Sequence, residues 1–279
     1  MLTASTHNNN IQNLHTHTKY CDGADTPEEV VLYAIKKGIS SIGFSGHSYM
    51  SYSKTFGPLG DHTEEYKNDV LMLKEKYKDR MKIYLGLEVD MFSRPDMQDY
   101  DYLIGSVHYL KIGEEYVCFD TDASGVNSVI QKHFNGNGME YAKEYYRTLA
   151  QLPEFGSFDI IGHFDIITKH SDRKSFFDTT SKEYLNAAFE AVAALKGKIP
   201  FFELNTGAIA RGYRKDPYPS TDIIKELKRQ GFGVVITSDC HNKTMIDYKF
   251  DDASELLKAC GFKEKYYITE NGFTAVPIW

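Results

Sequence analysis

The chain has no apolar run approaching the roughly 20 residues a bilayer-spanning helix needs, and residues 1–10 are polar with no apolar signal region. Cysteine is scarce: the four present, Cys21, Cys118, Cys240 and Cys260, form no C-x-x-C pair. Together these absences predict a protein of the reducing cytoplasm. Positive charge is also short. Lys and Arg number 32 against 39 Asp and Glu, a formal net charge of −7, which argues against a nucleic-acid surface or a polybasic membrane patch. A small anionic substrate stays compatible with that charge, because bound metal can reverse its sign locally. No G-x-G-x-x-G and no P-loop follows the first strand-like run, so nucleotide binding of those kinds is disfavoured. Internal repeats, a linker and low complexity beyond Asn8, Asn9 and Asn10 are missing too. One domain over residues 1–279 is expected, a length common for a single (β/α) barrel.

What is present is alternation. Strand-like runs occur at 11–15, 41–45, 82–89, 102–107, 158–162, 200–204 and 233–237. Helical patterns lie between most of them. Thr26-Pro27-Glu28-Glu29 opens a helix with a cap, a proline in the first turn and two acids, and Gly38 stops it. Others are read at 63–77, 140–152, 181–196, 220–230 and 252–260, and 266–268 is a candidate final strand. The stretch 111–138 contains two glycine-rich polar segments and reads as a long loop of the kind that serves as a substrate lid. Strands separated by helices pair in parallel through crossovers, and seven of them suit a closed or nearly closed barrel. In such a barrel the C-terminal strand ends meet on one face.

The histidines fall on that face. Six of the ten, His15, His17, His47, His108, His163 and His241, stand in short polar segments just after strand-like runs, as do Asp22, Glu88 and Asp239. Imidazoles and carboxylates gathered at strand ends are the ligand chemistry of a multinuclear metal site. His15-Thr16-His17 would place both rings on one face of a strand. Glu88 is a carboxylate inside an apolar strand, which is rarely buried unless paired or metal-bound. Asp22, in Cys21-Asp22-Gly23, is equally a good turn residue. Cys240, between two candidate ligands, reads as a small buried hydrophobe. Lys169 follows the His163 strand and Arg211 the Asn205 strand.

The order His-x-His, Gly-His-Ser, a strand-end Glu, Ser-Val-His, Gly-His and Ser-Asp-x-His resembles the PHP (polymerase and histidinol phosphatase) superfamily over nearly the whole chain. Gly105-Ser106-Val107-His108-Tyr109, Glu203-Leu204-Asn205-Thr206 and Tyr218-Pro219 look most like its histidinol-phosphate phosphatase branch. That resemblance implies an α/β fold, a distorted (β/α)7 TIM-like barrel with its active site at the C-terminal strand ends. It implies two or three divalent ions (Zn, Fe, Mn or Co), a small phosphorylated substrate and the release of phosphate from L-histidinol phosphate. His15, His17, Glu88 and Asp239 would hold one ion. Glu88, His108 and His163 would hold a second, and Asp22, His47 and His241 a third. Glu88, Asp239 and His241 would be the catalytic groups, and Lys169 and Arg211 would hold phosphate, with Arg214 or Arg173 as substitutes for Arg211, since 205–211 is a residue longer than the family pattern. Asp120 would reach from the long loop toward the substrate amine or imidazole. Another phosphoesterase of the superfamily, acting on a nucleotide, an oligonucleotide end or phosphotyrosine, is the nearest alternative. A metal-dependent amidohydrolase is a more distant one, since no lysine stands at a clear strand end to serve as the bridging carbamate.

Overall fold

The structure, a computed structural model, describes residues 11–52, 57 and 59–278. The polar stretch 1–10, with Asn8 to Asn10, lies outside the described residues. In chain order the strands are β1 (Gln12–Asn13), β2 (Ser41–Phe44), β3 (Lys82–Asp90), β4 (Tyr102–Ser106), β5 (Tyr109–Ile112), β6 (Glu115–Cys118), β7 (Ile160–Ile161), β8 (Phe201–Asn205), β9 (Gly233–Thr237), β10 (Glu264–Thr269) and β11 (Gly272–Pro277). Seven of these make one sheet in the order β1-β2-β3-β4-β7-β8-β9, and every neighbouring pair is parallel. The sheet closes on itself. Thr16, just past β1, bridges in parallel to Cys240, just past β9. The Cys240 N–H donates to the His15 carbonyl at 3.0 Å, and the His17 N–H donates to the Cys240 carbonyl at 2.8 Å.

The helices are α1 (Pro27–Lys37), α2 (Thr63–Lys76), α3 (Ala123–Phe134), α4 (Gly138–Ala150), α5 (Lys182–Leu195), α6 (Gly207–Ala210), α7 (Thr221–Gln230) and α8 (Phe250–Ala259). α1 begins as its sequence dictates. Thr26 and Glu29 form a reciprocal capping box, Pro27 follows, and Gly38 ends the helix at φ 76°. Each longer helix turns an apolar stripe inward; Val30, Val31 and Ala34 do so on α1 and Tyr141, Tyr145 and Leu149 on α4. No helix of the described residues is long and apolar enough to cross a membrane.

Alternation along the barrel strands sorts their side chains into two cores. The larger lies between barrel and helices. The smaller, with Leu14, Tyr84, Tyr102, Ile104, Ile160 and Val235, fills the lower barrel interior. Tyr102 is its centre: its hydroxyl donates to the Leu14 carbonyl and, at 3.3 Å, to that of Phe44. Its ring lies against Gly43 and Gly86, and a Cβ at either would overlap it. β10 and β11 pair only with each other. They close the bottom of the barrel, where Ile268 joins the inner core and exchanges hydrogen bonds with the Gln12 amide at 3.0 and 2.7 Å.

Two expectations are corrected. Residues 111–138 are not a structureless lid. They contain most of an antiparallel hairpin, β5–β6, turning at Gly113 with φ 60°, then α3, capped by Asp122. The two-residue turn, glycine first, satisfies the hairpin's need for a positive φ. The final strand is longer than expected and belongs to the closing hairpin, not to the barrel sheet.

The contact of Tyr102 with glycine yields a stability prediction. Gly86→Ala should lower the unfolding free energy by about 1–3 kcal/mol through overpacking, read from the urea midpoint at unchanged m-value. A neutral effect would mean that the ring is not locked.

Candidate metal centre

The top of the barrel differs sharply in chemistry from its base. On β3 the inward positions run Tyr84, Gly86, Glu88 and Asp90; on β8 they run Phe201, Glu203 and Asn205; beyond β9 comes Asp239. A period of two thus carries each strand from an apolar floor to a carboxylate. Closure at Thr16–Cys240 then sets His15 and His17 beside Asp239 and His241.

Glu88 stands at the centre, 1% exposed. Its two oxygens face different imidazoles. Oε2 lies 2.8 Å from His47 Nδ1, 3.3 Å from His15 Nε2 and 3.6 Å from His17 Nε2. Oε1 lies 2.9 Å from His163 Nε2 and 3.5 Å from His108 Nε2. Asp239 adopts a left-handed backbone, φ 46°, uncommon outside glycine. Its Oδ1 is 3.2 Å from His17 Nε2 and 3.7 Å from His15 Nε2. Asp22 reaches His241 Nε2 at 3.2 Å, His17 Nδ1 at 3.4 Å and His47 Nε2 at 3.6 Å. It is both turn and site residue: Cys21 and Gly23 donate to the Thr18 carbonyl, and the resulting turn points the Asp22 carboxylate inward. All nine predicted ligands therefore share one face.

Three sets of ligand atoms lie within 4.8 Å of one another: His17, Asp22, His47 and His241; His15, His17 and Asp239; and His47, Glu88 and His108. His17 belongs to two of them, with one ring nitrogen toward each. His163 joins through Glu88. Each set could hold a divalent cation with mixed nitrogen and oxygen donors. The fit rests on orphaned atoms. His15 Nε2, His17 Nε2 and Glu88 Oε2 are buried without a hydrogen bond. His15 Nδ1 is 2.8 Å from the Glu203 carboxylate and so carries a proton, which leaves Nε2 facing Glu88 Oε2 at 3.3 Å. Positive charge is required between them, and a cation there takes the place of a second proton on the ring.

Electrostatics agree. Burial would push the Glu88 carboxyl up, but His47, His15 and His108 hold it well below the usual carboxylate range. Burial opposes a charge on His15, yet Glu203, Glu88 and Asp239 together lift it from 6.5 to about 10. His47 is lifted to about 10 against burial, chiefly by Glu88. His241 is lowered, by burial and by His17.

A cavity of about 220 Å³ opens over these groups, and Asp120, Lys169, Arg211, Tyr213 and Tyr218 complete its wall. A larger one, about 600 Å³, lies between α4 and α5 and contains no histidine, so size alone does not mark the site. Lys169 pairs with Asp120 at 2.7 Å and lies 4.7 Å from the Tyr213 ring centre. Arg211 donates to Asp239 Oδ2 at 2.8 Å and approaches His241 Nδ1 at the same distance. The two alternatives to Arg211 lie elsewhere. Arg214 is buried against Asp165 at 3.7 Å and Thr168 at 2.7 Å, and Arg173 caps the Gly212 carbonyl. Cys240 is buried and donates to the Asn242 carbonyl at 2.9 Å, away from the cluster.

Sequence reasoning missed Asp90 and Glu203, which contact His108 and His15 from behind. The signal was available, since both are carboxylates in or at the end of apolar strands, on the inward period of Glu88 or Asn205. Tyr213 left no such signal, and Tyr218 entered only as part of the Tyr218-Pro219 motif.

Comparison with known proteins decides the family. Residues 13–207 match the PHP domain. The chain belongs to the PHP family. Among PHP relatives, the Deinococcus radiodurans protein named "Probable histidinol-phosphatase" is 27% identical over 263 residues, 88% of this chain and 92% of that one. The Bacillus subtilis histidinol-phosphatase is 25% identical over 260 residues, 85% of this chain and 96% of its own length. A crystal structure of the Lactococcus lactis histidinol phosphate phosphatase, complexed with zinc, L-histidinol and phosphate, is similar in fold. It has a TM-score of 0.72 at 23% identity and covers 95% of this chain and 98% of that one. The distorted seven-stranded PHP barrel expected from sequence is the fold observed.

The charge pattern has a measurable consequence. Protons and a cation compete for the same imidazole lone pairs, so binding should release protons. Apparent Zn(II) affinity should rise with pH from roughly 6 and keep rising toward about 10, where His15 and His47 give up their protons, followed by calorimetry in buffers of different ionisation enthalpy. An affinity independent of pH would remove the histidines from the ligand set.

Proposed function

We propose that the protein is a metal-dependent phosphatase that hydrolyses L-histidinol phosphate to L-histidinol and phosphate, a step of histidine biosynthesis. The observation that carries this reading is Glu88, a buried carboxylate with each oxygen turned to a different group of imidazoles, below a cavity rimmed by Lys169 and Arg211. PHP membership and relatives named as histidinol-phosphatases over most of the chain support it.

In this reading His15, His17, Glu88 and Asp239 hold one cation, Glu88, His108 and His163 a second, and Asp22, His47 and His241, with His17 alongside, a third. What such cations supply when bound is Lewis-acid polarisation of phosphoryl oxygen and activation of water at neutral pH. The chain supplies the rest. Glu88 fixes the spacing of the histidine groups. Asp239 anchors Arg211, so that the guanidinium stays at the rim with donors left for phosphoryl oxygens. Lys169 offers a second positive charge from the opposite wall. His241 faces the cavity beside Arg211, where it can meet the phosphoryl end. Asp120, next to Lys169, is placed to accept the ammonium or imidazolium of the substrate once Lys169 turns to phosphate. The reading takes residues 1–279 as one phosphoesterase domain.

Glu88→Gln should cut kcat at least about a hundredfold, the equivalent of about 2.7 kcal/mol, and lower metal content by elemental analysis. Near-normal turnover and metal would refute the bridging role. Phosphate is common to all monoesters, so selectivity must arise from contacts to the remainder of the substrate. For the metal-replete protein, kcat/KM on histidinol phosphate should exceed that on p-nitrophenyl phosphate at least about tenfold. Equal values, or preference for a nucleotide or phosphotyrosine, would reassign the substrate and leave the metal centre in place.

A further inference from the structure

We infer that Asp90 and Glu203 are positioning residues, one for each oxygen of Glu88, which hold His108 and His15 with Nε2 directed at that carboxylate. The inference rests on the metal-centre reading and adds to it the groups that decide which nitrogen each histidine offers.

Glu203 is fully buried and saturated. Its Oε2 accepts from His15 Nδ1 at 2.8 Å and from the Thr237 hydroxyl at 2.8 Å. Its Oε1 accepts from the His163 backbone N–H at 2.5 Å and the Asn205 amide at 2.7 Å. A carboxylate offers about four acceptor positions, and all are taken. The other face of the His15 ring then presents Nε2, 3.3 Å from Glu88 Oε2. Asp90, 2% exposed, repeats the arrangement on the other side. Its Oδ2 lies 3.0 Å from the His108 backbone N–H, which donates to it, and 3.3 Å from His108 Nδ1. Its Oδ1 accepts from the Phe92 N–H at 3.1 Å and from the Tyr52 hydroxyl. His108 Nε2 lies 3.5 Å from Glu88 Oε1.

A carboxylate behind an imidazole fixes tautomer and ring orientation and raises the basicity of the nitrogen in front. The distances rank the two. The Glu203 contact, at 2.8 Å, is a full hydrogen bond, whereas the Asp90 contact, at 3.3 Å, is looser. His163 supplies the contrast. It faces Glu88 at 2.9 Å, yet its Nδ1 is buried with no hydrogen-bond partner. Glu203 reaches it only through its backbone, so the two histidines on Glu88 Oε1 are not equivalent.

A carboxylate that merely ties strands together would behave differently, and Thr237→Val separates the cases. It removes one tie from Glu203 and leaves the His15 contact. Zn(II) affinity by chelator competition and the ligand-field spectrum of the Co(II) protein would be measured for the native chain, Glu203→Gln, Asp90→Asn and Thr237→Val. Glu203→Gln and Asp90→Asn should each weaken one class of site about 10- to 100-fold, Glu203→Gln the more, with altered Co(II) spectra and kcat falling further than KM rises. Thr237→Val should keep the native spectrum and affinity within about threefold, below the range for lost outer partners. Equal weakening by Thr237→Val and Glu203→Gln, or native affinity and spectra in both carboxylate variants, would overturn the inference. If Glu203→Gln fails to fold, Asp90→Asn decides by the same readouts. A native chain that binds neither Zn(II) nor Co(II) would overturn the metal-centre reading itself.

Discussion

Carboxylate charge without water is the constraint around which the upper half of this barrel is organised. Glu88, Asp90, Glu203 and Asp239 are all nearly or fully buried. Groups of that kind are tolerated only when paired and hydrogen-bonded. Each has an imidazole against it, and these imidazoles are carried to the site by several strand ends, with His15 and His17 sharing that of β1. The strands must keep their register for these pairs to form, because a one-residue slip would turn every inward group outward. The apolar floor around Tyr102 and the charged layer above it thus depend on the same alternation.

The rim follows a related logic. Lys169 and Arg211 are not idle cations waiting for an anion; Asp120 holds one and Asp239 the other. In the proposed reading an anionic ligand draws Lys169 from Asp120 and adds to the existing partner of Arg211, so neither cation starts as a bare charge. The same pairing lessens repulsion of the ions that this reading places below. It would also favour a ligand that carries both signs, since a lone phosphate would leave Asp120 without its lysine.

Much of this was legible in the residues. The barrel strands announced themselves because apolar runs of five to eight residues ended in polar, histidine-bearing segments, and strand ends are where a parallel barrel concentrates its chemistry. Glu88 stood out as a charge in an apolar strand. Asp90 and Glu203 obeyed the same rule but were given no role, because the histidines they support lie 18 and 188 residues away. The hairpin and helix within 109–134 were misread for a local reason. Gly113, Asp120, Ser124 and Gly125 all carry turn or weak-helix signals, and what orders the segment is packing. Val126, Val129 and Ile130 of α3 join the main core, and Phe119 sits edge-on to Tyr141 and Tyr145 of α4. Arg211 and Arg214 could not be told apart by spacing, because the chain makes a helical turn at α6 and only that turn sends the first to the cavity and the second to Asp165.

The join between β1 and the far end of the sequence has a consequence for how the molecule comes into being. Gln12 meets Ile268, and Thr16 meets Cys240, so β1 waits for residues as far as 256 positions later. On the ribosome, His15 and His17 are exposed long before Asp239 and His241 exist. Contacts of such long sequence separation form late and slowly, and open sheet edges are vulnerable in the meantime. A ribosome-bound or prematurely ended chain lacking β9 and the closing hairpin has neither a sealed barrel nor a complete ligand set. In the proposed reading, competence for metal is tied to synthesis past β9, because a shorter chain lacks Asp239 and His241.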